Sequence, residues 1–380
     1  MLIVSKFFHP SIGGIETVVS QHSQFLTRAN YQVTIICHNH LFSLRTRFEN
    51  QYGIHVIRCA CWGKIFSQPV SPSLPLWLWI KIRKHNLVML HLPNPIVTLF
   101  SLFLPRHIRI IVFWHSDIIR QKTLKYIVQP LQRILCRRAN KILTTSWNLA
   151  QNSNVISSFT EKLSILPLSI PVFLEDRGNI QVVDRPPSLS EIPSRFGLFL
   201  GRLSYYKGID VLINAISRLS ESDKEFPFVI AGDGPLVDKI KSNLKACPHP
   251  SVTFISRVVD DTEKQWLLQN AAFFIFPSTE PNEAFGIIQL EAMREGIPVI
   301  NTNLPTGVPS VSVHEDTGLT VPPRDPEALA QAISRLIQNP QERLRFGKKA
   351  KQRVKSYFDE ERIRDLFLTE VKSTLEQSSD

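Results

Sequence analysis

The sequence predicts an α/β protein of two domains, each built on a parallel sheet. Three observations lead there. Apolar runs of strand length alternate with helix-length segments along the whole chain. The length, 380 residues, exceeds one ordinary hydrophobic core and suits two domains of about 170–190 residues. The alternation fails once, where Pro167, Pro171, Pro186, Pro187 and Pro193 punctuate the chain. The expected division is a first domain over 1–170, a connection over 171–193 and a second domain over 194–358. A final helix over 359–380 is expected to pack back on the first domain.

The elements follow in order. Residues 2–5 read as a buried strand that ends in the loop His9-Pro10-Ser11-Ile12-Gly13-Gly14, with a helix from about Ile15. Further buried strands are expected at 32–37, 87–91, 110–114 and 141–144. Helices fill 75–85, 119–139 and 147–159. The second series begins with a strand at 197–200 and continues with strands at 228–231, 252–255, 273–276 and 298–301, each followed by a helix. Two or three helices close the chain after Asp325. There is no internal repeat.

Composition narrows the class. Hydrophobic residues make up 43% and charged residues 20%, as in a globular protein. No apolar run approaches the roughly 20 residues that span a bilayer. The opening residues read as a strand rather than a signal peptide, so a cytoplasmic protein is expected. The five cysteines, Cys37, Cys59, Cys61, Cys136 and Cys247, are odd in number and irregularly spaced, which suits reduced thiols. The net charge of +11 is uneven: residues 1–190 hold 21 Lys and Arg against 7 Asp and Glu, while the remainder holds 23 against 26. A basic first half implies an anionic partner: nucleic acid, a membrane surface or a pyrophosphate compound.

Four constellations sit where strands give way to helices, the usual place for ligands in α/β sheets. The first is Gly201-Arg202-Leu203-Ser204-Tyr205-Tyr206-Lys207-Gly208. A guanidinium and an ammonium on one such loop can clamp a diphosphate without a metal. The second is Pro277-Ser278-Thr279-Glu280-Pro281-Asn282-Glu283-Ala284-Phe285-Gly286, with a helix expected from about Phe285. Free N–H groups at that start favour an anion. Glu283 and Glu291 would stand roughly 12 Å apart on a continuous helix, too far for a shared-proton dyad. That spacing suits two acceptors at opposite ends of a long ligand. The third is Gly13-Gly14, whose spacing is not that of a nicotinamide-dinucleotide site. The fourth is Trp114-His115-Ser116-Asp117 at a strand end.

In this order the four pieces resemble the family 4 retaining glycosyltransferases of GT-B architecture, two Rossmann-like domains facing across a cleft. Glu283 and Glu291, followed by Ala292-Met293 and Gly296-Ile297-Pro298-Val299, carry the likeness together with Ala231-Gly232-Asp233-Gly234-Pro235. The resemblance implies that Arg202 and Lys207 bind the donor diphosphate, Glu291 the ribose and Glu283 the transferred sugar. It implies that Gly201, Phe285, Gly286 and Ile287 touch sugar and phosphate, and that Arg257 and Val258 lie near the base. His115 would face the sugar, and Gly13 and Gly14 would approach the phosphates. Ser169 and Ser256 stand where the family usually has Gly. Glu280-Pro281-Asn282 and Asn303-Leu304-Pro305-Thr306-Gly307-Val308 resemble a bacterial subgroup assigned mannosyl or rhamnosyl transfer in surface-polysaccharide assembly.

The resemblance further implies a GDP-, UDP- or dTDP-linked donor, retention at the anomeric carbon, and neither metal nor cofactor. The acceptor is expected to be a lipid-linked glycan, with peripheral attachment to the inner face of the inner membrane. Residues 119–139 and 75–85 mix basic, aromatic and apolar side chains in a way that suits an anionic bilayer surface. The competing readings are a sugar-nucleotide 2-epimerase of the same architecture and a non-catalytic protein binding an anionic ligand. No nucleic-acid motif is present.

Overall fold

The computed structural model describes residues 1–11, 13–65, 68–118, 122–170, 182–246 and 251–377, and the apolar runs in them form two separate parallel sheets. Contacts divide the chain into unit one, Met1–Pro171 with Glu360–Asp380, and unit two, Val172–Asp359. Cys247, Arg120 and residues 171–181 of the expected connection lie outside the described residues.

Unit one contains β1 (Leu2–Val4), α1 (Gly14–Arg28), β2 (Thr34–His38), β3 (Arg47–Gln51), β4 (Ile54–Cys59), β5 (Lys64–Ile65) and β6 (Gln68–Pro69). It continues with α2 (Ser73–Ile82), β7 (Leu87–Leu92), α3 (Pro95–Ser101), β8 (Arg109–Trp114), α4 (Lys122–Arg138), β9 (Lys141–Thr144), α5 (Trp147–Asn152) and β10 (Leu163–Ile165). Its main sheet runs β10-β9-β8-β7-β1-β2-β4-β3, parallel except for β3 against β4. β7 is buried at every residue, as a strand covered on both faces must be. Leu90, Val112 and Ile142 face the layer that includes α2, α3 and α4. Phe113, one residue out of phase, meets His22 of α1 on the other side. β3 was not expected: it is a polar edge strand, and its Glu49 pairs with Arg58 of β4 at 2.9 Å.

Unit two contains β11 (Phe196–Leu200), α6 (Ile209–Ser217), α7 (Glu221–Lys224), β12 (Phe228–Ala231), α8 (Val237–Ala246), β13 (Val252–Ile255), α9 (Asp261–Asn270) and β14 (Ala271–Ile275). Then come α10 (Ile287–Arg294), β15 (Val299–Thr302), α11 (Val308–Val311), β16 (Gly318–Val321), α12 (Pro326–Gln338) and α13 (Pro340–Tyr357). The sheet is parallel throughout, in the order β13-β12-β11-β14-β15-β16. Leu189 and Ile192, expected in the connection, are buried, and Ser188 donates to Glu263 of α9. The later part of that stretch is therefore part of unit two rather than a free tether.

The last helix, α14 (Glu360–Glu376), belongs to unit one. Its buried residues Ile363, Phe367 and Val371 repeat every four positions and make one apolar stripe. Phe367 stacks on His22 at 4.3 Å between ring centroids and 11° between planes. Arg28 and Glu360 at 3.7 Å, and Lys141 and Glu370 at 3.0 Å, fix the ends of the contact. No helix among the described residues is long and apolar enough to cross a membrane.

His22, His91 and His115 form a buried cluster in unit one. Burial pushes His22 and His115 down to about 3 and lowers His91 as well. Folding thus requires neutral imidazoles, whereas the unfolded chain protonates them near pH 6.5. Stability is expected to fall as pH drops below about 6.5, by up to about 1.4 kcal/mol per pH unit for each histidine. Urea midpoints measured from pH 7.5 to 5 check this, and His22→Phe should flatten the dependence.

Candidate functional site

In the second sheet the winding reverses between β11 and β14. One series passes outward from β11 through β12 to β13, the other from β14 through β15 to β16. The loops leaving β11 and β14 therefore open a crevice at their carboxyl ends. The first loop makes a short 3-10 turn at Tyr205–Lys207 before α6. Gly208 ends the turn with φ +68°, and a Cβ there would run into the Pro277 carbonyl. Thr279 N–H donates to the Tyr206 carbonyl at 2.8 Å, so the two loops are tied by backbone.

The second loop ends at Gly286, whose φ of +81° cannot continue a helix. α10 consequently starts at Ile287, not near Phe285 as the sequence suggested. Phe285 instead packs edge-on against Phe358, with ring centroids 6.0 Å apart. Gln289, fully buried, donates to the Phe285 carbonyl at 2.9 Å and accepts from Asn301 at 3.0 Å. These bonds fix the start of α10, where the unshared N–H groups lie.

The charged side chains divide into two groups. Lys207 and Glu283 form a close ion pair with only 13% and 12% of their side chains exposed. The Lys207 ammonium also lies 4.9 Å from the Phe276 ring centroid, a cation–π contact. Arg202 is exposed and makes no ion pair or hydrogen bond through its side chain among the described residues. Glu291 approaches Lys264 of α9 at 3.2 Å. Arg257 grips Glu263 through both terminal nitrogens and holds that carboxyl down to about 2. Its guanidinium is thus taken up by the Glu263 carboxylate, which closes the capping box of α9 with Asp260, while Val258 beside it is exposed.

The candidate residues of unit one have a different setting. Gly13 and Gly14 stand at the start of α1, where the Gly13 carbonyl accepts from Thr17 N at 3.0 Å. A Cβ on Gly13 would strike the Glu16 carboxylate, whereas Gly14 has nothing within 4 Å. His115 is 5% exposed and its Nε2 lies 2.9 Å from His91 Nδ1. The residue expected to face a sugar thus has most of its ring buried and one nitrogen engaged with His91. Ser169 is also buried and accepts from Gln21 of α1 at 2.8 Å.

Sequence reasoning missed His91, Lys264 and Phe276. Each partners a candidate residue from a distant part of the chain, so spacing carried no signal. Gln289 was detectable, as a polar residue on the apolar face of a helix between the two glutamates.

Two parallel-sheet Rossmann-like domains, the second with basic and acidic side chains collected at its reversal point, have the GT-B fold of solved glycosyltransferases. Residues 12–167 match the family described as Glycosyltransferase Family 4, and residues 184–353 the one described as Glycosyl transferases group 1. The chain belongs to these glycosyltransferases. The D-rhamnosyltransferase WbpZ of Pseudomonas aeruginosa is 29% identical over 359 residues, covering 93% of this chain and 90% of the relative. The O-antigen chain mannosyltransferase C of Escherichia coli is 28% identical over the full length of both. Among solved structures, Anabaena HepE in complex with UDP has a TM-score of 0.73 at 16% identity, covering 98% of this chain and 99% of its own.

Glu283 pairs with Lys207, so an anion must compete for the ammonium. Pyrophosphate has no sugar to engage residue 283, and Glu283→Gln should bind it about tenfold more tightly. Isothermal titration calorimetry reads this directly; equal or weaker binding would mean that Glu283 does not compete.

Proposed function

We propose that the chain transfers a hexose or deoxyhexose from a nucleoside-diphosphate sugar to a lipid-linked glycan, with retention at the anomeric carbon. Mannose or rhamnose is favoured by the relatives, and surface-polysaccharide or O-antigen assembly is the process they suggest. The observation that carries the reading is the pair of cations on one loop at the sheet reversal. Arg202 is exposed, and Lys207 is held in place by Glu283 and Phe276.

Arg202 and Lys207 neutralise the donor diphosphate and stabilise the departing nucleoside diphosphate, so no metal is required. As Lys207 turns to phosphate, Glu283 is released to accept hydrogen bonds from the sugar. Glu291 takes the ribose hydroxyls, exchanging its contact with Lys264. The N–H groups at Gly286 and Ile287 point at phosphate from the start of α10. The bond from the anomeric carbon to the diphosphate oxygen breaks. The acceptor oxygen bonds to that carbon on the same face, and its proton passes to the departing phosphate. Rate enhancement then comes from positioning and charge stabilisation. His115 is neutral at physiological pH, since burial pushes it down to about 3, so any part it plays is as a neutral hydrogen-bonding group. A lipid-linked acceptor places the protein in the cytoplasm against the inner membrane.

Arg202→Ala is expected to lower kcat on the order of 10²–10³-fold with the fold intact. Steady-state assays with the donor chosen by a thermal-shift panel of UDP, GDP and dTDP sugars check this. Turnover close to that of the parent would remove Arg202 from the mechanism. Activity should also survive a metal chelator; its loss there would overturn the metal-independent reading.

A further inference from the structure

A cavity of about 420 Å³ in unit two is lined by Tyr205, Asp210, Asn214, Thr279, Glu280 and Arg324. It lies beside the loops that carry Lys207 and Glu283, but neither of those side chains lines it. Its walls come from four segments: the turn at Tyr205–Lys207, the first turns of α6, the loop after β14 and the turn between β16 and α12. Two of these walls are held firmly. Tyr205 meets the Tyr206 ring edge-on at 5.5 Å between centroids, and its hydroxyl accepts from Asn282 Nδ2. Arg324 takes a left-handed φ of +62°, which a residue with a Cβ seldom adopts, and its guanidinium donates to Glu280 at 2.6 Å.

Asp210 and Asn214 differ from these. They stand one turn apart on α6, exposed, and their side chains make no hydrogen bond or ion pair among the described residues. The Tyr205 ring is 40% exposed although its hydroxyl is tied down. The cavity thus offers a flat aromatic face, two carboxylates that accept, an amide that donates and accepts, and a guanidinium that donates. A sugar ring has the matching surfaces: a face of C–H groups that covers an aromatic ring, and a rim of hydroxyls that both donate and accept. Phosphate is disfavoured, because two carboxylates face the space against one cation. An apolar ligand would strip water from these polar groups without replacing its hydrogen bonds. A second cavity of unit two, of about 390 Å³, has no aromatic side chain, and its Ser334, Arg335 and Gln338 already bond Asp223, Glu315 and Glu342.

We propose that the cavity beside Tyr205 is a subsite for a neutral glycan. A hexose lies flat on the Tyr205 ring, and its hydroxyls bond Asp210, Asn214 and the Arg324–Glu280 pair. The kind of sugar rests on the function proposed above, the location on the cavity alone. Tyr205 and Lys207 share one turn, and Glu280 and Glu283 one loop, so an occupant braces the same two loops that the Thr279–Tyr206 bond joins. Two sources supply such a glycan: the chain of the acceptor itself, or a polysaccharide that is not being extended.

The test is isothermal titration calorimetry of the full-length protein with α-linked mannose and rhamnose trisaccharides. The parent should bind at least one of them. Asp210→Ala combined with Asn214→Ala should weaken that binding about tenfold, with the melting midpoint and the affinity for pyrophosphate unchanged. Tyr205→Phe should keep most of the binding and Tyr205→Ala should lose it. Gln331→Ala, in the second cavity, should have no effect. In transfer assays, a raised acceptor KM at constant kcat in the double variant would identify the acceptor chain as the occupant. An unchanged KM, with trisaccharide binding still lost, would identify a separate glycan. Failure of the parent to bind either trisaccharide, or binding that survives the double substitution, would overturn the subsite. The transfer reaction is judged separately, by turnover of nucleotide sugars in the parent.

Discussion

Two loops of unit two share one narrow space where Gly208 passes beneath the Pro277 carbonyl, and the geometry of the charged residues at the sheet reversal depends on that crossing. Any side chain at 208 would separate the loops. With them together, the backbone bond from Thr279 to Tyr206 closes and Lys207 comes within reach of Glu283. The constraint is steric and entirely in the backbone. It converts two sequence-distant turns into one rigid edge, on which a flexible lysine has few places to go. Parallel α/β sheets offer such a place only where the winding reverses, and here the reversal falls between β11 and β14.

On that edge the charges compensate one another. An ammonium and a carboxylate, both largely removed from water, would each be costly alone. Paired, they offset part of that cost, while Arg202 on the same loop is exposed. The anion binding proposed above would rearrange charges already in position, with little new ordering of side chains. The same economy operates on α9 and α10, where Lys264 covers Glu291 and Arg257 covers Glu263.

Much of the framework was legible in the sequence, because buried parallel strands are continuous apolar runs. Strands at Lys141–Thr144, Phe228–Ala231 and Val252–Ile255 have the expected bounds. β3 was not legible: an edge strand of mostly exposed polar residues lacks the apolar signal that marks a strand. The start of α10 was placed two residues early, because Gly286 takes a left-handed φ that ends the preceding loop, packed so closely on the Phe276 ring that a Cβ there would clash. The positions of the candidate charges at strand ends were readable, but their partners were not. The pairing of Lys207 with Glu283 and the contact of His115 with His91 each join elements brought together only by the sheet. Burial of His115 was equally invisible, since its neighbours come from α1, β7 and the strand before it.

The return of α14 to unit one has a consequence for synthesis. During translation α1 is complete early, yet the ring of Phe367 that covers His22 emerges only after all of unit two has been made. At ordinary elongation rates the interval is on the order of tens of seconds. Over that time α1 keeps an uncovered apolar stripe, and unit two, though second in the chain, has all its residues before unit one does. A ribosome that stalls before α14 therefore leaves a nascent chain with one finished body and one sticky one, a substrate for chaperones or proteases.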